Sequence, residues 1–95
     1  MYWLLTYEVV ADYLERRGAY REEHLGLARE AHARGELVLA GAHGEPIDGA
    51  TLLFHGADGS AAIRFAEHDP YVLNSLVTAW HVRPWHVVVG GEAAG

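Results

Sequence analysis

The segment REEHLGLAREAHARG, residues 21–35, carries an imidazole where an aliphatic side chain would be expected. At about 100° per residue, Tyr20, His24, Leu25, Leu27, Ala28 and Ala31 share one helical face, and Glu22, Glu23, Gly26, Arg29, Glu30 and Arg34 share the other. His24 therefore falls near the centre of the core-facing arc, where its ring nitrogens need hydrogen-bond partners. Position alone allows two readings. One is a core histidine tied to a backbone carbonyl. The other is a general acid or base at the bottom of a pocket, since small environmental changes bring an imidazole to its working range near neutral pH.

Other chemistries are narrowed by what the chain contains. It has no cysteine, so thiolate nucleophiles, disulfides and zinc-thiolate sites are out of reach, and it has no lysine to form a Schiff base. Ser60 and Ser75 stand in no nucleophile motif. The histidines at 24, 32, 43, 55, 68, 81 and 86 show no recognisable ligand spacing, so neither metal nor haem nor any other cofactor is expected. Arg21, one turn before His24, suits either a surface pair with a glutamate or an anchor for a substrate carboxylate. Tyr7, Tyr71 and Trp85 suit a core or dimer interface as well as a pocket wall. Gly41 ends a strand as a plain turn or as a place where a ligand comes close. Asp69, before Pro70, is a natural N-cap.

The elements that must position these groups read as follows. YWLLTYEV, residues 2–9, is a strand, and Asp12 caps a helix from Tyr13 with Glu15 as box partner. Gly18 breaks or kinks this helix, and Gly35 ends it in a left-handed C-cap. Residues 36–41 form a second strand, HGEPIDG a turn, and 50–56 a third strand returning as a hairpin. A short helix after DGS stops at Pro70, PYVLNSL adds one or two helical turns, and residues 81–89 form the last strand with Pro84 at a bulge or edge. The order predicts a ferredoxin-like βαββαβ fold, α+β in class, with a four-stranded antiparallel sheet and both helices on one face. Apolar residues occupy successive positions in these strands, which predicts burial of both faces and hence a homodimer packed sheet to sheet.

With 95 residues the chain is one domain, residues 1–91, with a flexible tail at 92–95. Its formal charge of −6 disfavours nucleic acid. No run approaches the roughly 20 apolar residues of a membrane span, and MYWLLTYEVV lacks the basic flank of a signal peptide, so a cytoplasmic protein is expected.

The chain resembles, over nearly its full length, the YCII-related (YciI-like) family of dimeric α/β-barrel proteins. The likeness is carried by ADYLERR at 11–17, the R-x-x-H-L element Arg21 to Leu25, HARGELVLAG at 32–41, EHDPYV at 67–72 and VRPW at 82–85, in matching order and spacing. It implies the ferredoxin-like fold, a homodimer, with association beyond the dimer left open, and a pocket for a small-molecule ligand. Within that pocket it assigns His24 and Asp69 as a catalytic dyad, favours Arg21 as a substrate anchor and matches Gly41 to the family's strand-glycine position; Tyr7, Pro70, Tyr71 and Trp85 complete the candidate substrate-binding residues. The implied function is a cofactor-independent isomerase, dehydrochlorinase or hydrolase acting on a small cyclic or anionic molecule. The alternative is a non-catalytic binding or interaction module in which the His–Asp pair is structural. The sequence departs from the family pattern in its shorter HGEPIDG loop and in LNSLVTAW, and loops of this kind set specificity.

Overall fold

The computed structural model describes residues 1–91; the tail expected at 92–95 lies outside the described residues. Strand β1 (Tyr2–Val9) leads through a one-turn helix α1 (Tyr13–Arg16) and a 3-10 turn (Arg17–Ala19) into α2 (Arg21–Ala33). Strands β2 (Leu37–His43) and β3 (Gly49–His55) form a hairpin, followed by α3 (Ser60–His68), α4 (Pro70–Leu73) and β4 (Val77–Trp85). The sheet runs β2-β3-β1-β4 with every neighbouring pair antiparallel, which is the ferredoxin-like arrangement predicted from the element order.

Alternation along the central strands separates two faces. Leu5 and Tyr7 of β1 and Ala50, Leu52 and Phe54 of β3 point toward the helices and are buried with Ala62, Phe65 and Ala66 of α3 and with Leu76. Each large apolar side chain buried this completely contributes about 1.5–3 kcal/mol. On the reverse face Leu4, Thr6, Thr51 and Leu53 are half-buried, while Leu39 and Trp85 are exposed. The successive apolar residues are thus not all covered within one chain. In α2 the predicted inner face is the inner face, yet only Ala31 is fully buried. The helix stands off the sheet and leaves room beneath it.

Three local expectations need correction. Asp12 makes no side-chain cap and its backbone is not extended, so the box with Glu15 does not form; its carboxylate lies instead 3.9 Å from Arg16. Strand β2 continues through Gly41 to His43. Strand β4 begins at Val77, not 81, and ends at Trp85, opposite Tyr2, because β1 offers no partner beyond that residue. The early start follows from a Schellman closure of α4: Leu76 N donates to Tyr71 O and Ser75 N to Val72 O, with Ser75 at φ 63°. The same closure ends α2, where Gly35 at φ 79° fills the left-handed position as expected. Pro84 sits in β4, an edge strand, where a missing N–H is tolerated.

Candidate active site

Asp69 is the extended residue between α3 and α4, the conformation a following proline favours. Pro70, at the first position of α4, has no N–H to satisfy, and the Asp69 carboxylate accepts from the next amide, Tyr71 N, at 3.0 Å. The cap reading is therefore correct, but the carboxylate does more. His24 Nδ1 lies 2.9 Å from Oδ1 and 3.0 Å from Oδ2, and the Tyr7 hydroxyl donates to Oδ2 at 2.7 Å. Asp69 is completely buried. A buried charge persists only when its oxygens are satisfied, and donors from β1, α2 and α4 converge here to do so.

The carboxylate sets the chemistry of the imidazole. Because a carboxylate only accepts, Nδ1 carries the hydrogen and the Nε2 lone pair is left to act. Among the described residues no group bonds Nε2. The ring stacks on Tyr71 at a centroid distance of 4.0 Å and an interplanar angle of 9°, with Phe65 edge-on at 6.1 Å. It borders a cavity of about 390 Å³ between α2 and the β2 side of the sheet. An imidazole held in one tautomer by a buried carboxylate, with its free nitrogen at a cavity, can accept a proton at Nε2 and return it.

Burial, and next the neighbouring Asp69 charge, push the Tyr7 phenol far above its ordinary value. The unfolded phenol ionises near pH 10. Ionisation is thus harder in the folded state, so the stabilisation is complete below about pH 10 and is lost as pH rises beyond it. The wild type is expected to show a falling urea midpoint above that pH and Tyr7→Phe a shallower fall; equal slopes would remove Tyr7 from the account.

Of the residues singled out from the sequence, His24, Tyr7, Arg21, Gly41 and Tyr71 line the cavity, and Asp69 stands directly behind His24. Gly41 faces open space: a Cβ there would meet nothing within 4 Å. Pro70 is buried and sets the turn without lining the cavity. Trp85 is not brought to the site. It is 45% exposed, at the end of β4 and on the sheet's reverse face. Sequence reasoning missed Tyr13 and Arg17, which both line the cavity. The i, i+4 spacing of Tyr13, Arg17 and Arg21 was the signal that could have found them.

Burial raises the Tyr71 phenol as well, with Tyr13 adding to the effect and Arg21 and Arg17 opposing it. No helix of the described residues is long and apolar enough to cross a membrane, and no group of three or more His, Asp or Glu among them gathers to hold a metal ion.

No curated protein matches the sequence. Among solved structures, the chain is similar to 5-chloro-2-hydroxyhydroquinone dehydrochlorinase (TftG) from Burkholderia phenoliruptrix AC1100, solved in complex with 2,5-dihydroxybenzoquinone: 19% identity, TM-score 0.73, covering 90% of this chain and 93% of that one. It is also similar to protein Atu4242 from Agrobacterium tumefaciens, at 16% identity and TM-score 0.55, covering 86% and 88% of the two chains. At these identities the likeness establishes a common fold. The model of the YCII-related domain matches residues 1–86, nearly the whole described structure, and the chain belongs to that family.

Proposed function

We propose that the protein is a small cofactor-independent enzyme in which His24, oriented by Asp69, serves as general acid and base on a small cyclic or anionic organic molecule, by isomerisation, elimination or hydrolysis. One observation carries the reading: a fully buried carboxylate holds Nδ1 of an imidazole whose other nitrogen has no partner among the described residues and whose ring borders a cavity. A core histidine with no further duty has no need of an adjoining cavity. The similarity to a dehydrochlorinase that binds a dihydroxybenzoquinone supports a one-ring substrate with oxygen substituents. The site of action we propose is the cytoplasm. The test is turnover of a panel of lactones and halogenated hydroxyaromatics by the wild type, and its loss in His24→Ala.

A binding or interaction module is the second reading, favoured by the cap that the same carboxylate supplies to α4. Under it, substitutions in the pair change stability alone.

We also propose a homodimer joined through the reverse face of the sheet, where Leu4 and Leu53 are only half-buried and Leu39 and Trp85 are exposed. Sedimentation at micromolar concentration is expected to give twice the chain mass, and Leu53→Glu, a charge in the middle of that face, is expected to give monomers. A wild-type monomer would end this proposal.

A further inference from the structure

Tyr71 holds a hydroxyl that no group among the described residues satisfies. The residue is 1% exposed, and its oxygen is buried without a hydrogen-bond partner among them. Native proteins contain few such groups, and each costs stability until something completes it. The Tyr71 ring stacks on His24, and both residues line the same cavity.

Positive charge gathers around that hydroxyl. Arg17 and Arg21 line the cavity and act electrostatically on the Tyr71 phenol; the Arg21 guanidinium approaches it without reaching hydrogen-bonding geometry. The Arg17 guanidinium lies 5.5 Å over the Tyr13 ring, which meets the Tyr71 ring edge-on at 5.7 Å. Neither arginine joins an ion pair among the described residues, although the chain has thirteen acidic side chains for seven arginines. Much of the remaining wall is small and apolar, from Leu25, Ala28, Ala40, Ala42, Ala50 and Leu52. Two unneutralised guanidinium groups and an unused phenolic donor thus meet at one part of an otherwise greasy pocket.

We infer that Arg17, Arg21 and the Tyr71 hydroxyl form an anion-binding subsite that takes a carboxylate or ionised hydroxyl of a small flat molecule and presents the rest of it to His24 Nε2. The inference deepens the enzymatic reading of the same pocket: it names the charge and class of the molecule and the groups that orient it. Guanidinium and phenol donors match an anionic oxygen, and the surrounding apolar wall strengthens each charged contact. A neutral isostere would leave the two guanidinium charges without a counter-charge beside the buried Tyr71 donor, which is a source of discrimination. Because the chain as a whole is negative, attraction for an anion is confined to this local focus.

The test is equilibrium binding of benzoate and of its neutral isostere benzamide, followed by NMR titration and calorimetry without any turnover. Benzoate is expected to bind about tenfold or more tightly than benzamide, and Arg21→Gln and Tyr71→Phe are each expected to weaken benzoate about tenfold while leaving benzamide unchanged. Tyr71→Phe keeps the ring and removes only an unpartnered oxygen, so its unfolding midpoint should equal or exceed the wild type's. His24→Gln should keep the preference for benzoate. Equal binding of the two probes, no binding of benzoate, or a preference that survives both Arg21→Gln and Tyr71→Phe overturns the subsite. An inert protein that still selects benzoate discards the catalytic reading and keeps the subsite; an active one indifferent to charge does the reverse.

Discussion

Asp69→Ala is expected to destabilise the fold by about 3–5 kcal/mol, the range for removing one partner from a buried charged network. The reason is the number of donors left behind. His24 Nδ1, Tyr7 Oη and Tyr71 N all end on this carboxylate, and burial denies them water as a replacement. Each orphaned group costs about 1–3 kcal/mol, so the total cannot stay near zero unless water enters. Small domains hold only about 5–15 kcal/mol in all, and a loss of this size brings the chain close to unfolding at ambient temperature. Asp69→Asn should be milder, because the amide keeps one acceptor oxygen and the Tyr7 hydroxyl can rotate to accept from its NH2. Urea denaturation of the two variants gives the ranking; an Asp69→Ala midpoint equal to wild type would show that the network is bystander geometry.

His24→Ala is expected to lower kcat/KM on any substrate found by about 10²–10⁴-fold, the contribution typical of one general acid or base. Its effect on folding should be smaller than that of Asp69→Ala, because the carboxylate keeps two of its donors, Tyr7 and the α4 amide. The separation of the two effects is the informative part. A large loss of rate in a protein that still melts cooperatively and still binds benzoate places His24 in the proton transfer. A rate unchanged by the substitution, with only the melting point lowered, returns the pair to a structural role.

How much of this was legible in the sequence follows from the range of each interaction. The inner face of α2 is set by neighbours three and four residues apart, so His24 could be placed from spacing alone. Gly35 announced its left-handed cap because no other residue adopts that backbone so cheaply. Ser75 adopts the same conformation without announcing it, and the start of β4 was misplaced for that reason. Asp12 looked like a cap but its backbone never becomes extended, which a one-dimensional motif does not record. The bond from His24 to Asp69 joins residues 45 apart, and no periodicity reaches that far; family resemblance supplied the pairing. Trp85 shows the opposite limit: itself part of the matched VRPW element, it projects from the sheet's other side.

A single carboxylate both closes the α3–α4 junction and holds the imidazole, and this ties ancestry to folding. Under the enzymatic reading, a descendant that gave up the chemistry is still expected to keep His24 and Asp69, because discarding either loosens the fold. One that turned to a new substrate would alter the rim and leave the pair untouched. The pair is therefore a poor witness to what the pocket processes. Under the anion-subsite proposal, Arg17 and Arg21, which line the cavity and join no ion pair among the described residues, are the better guide to what it admits.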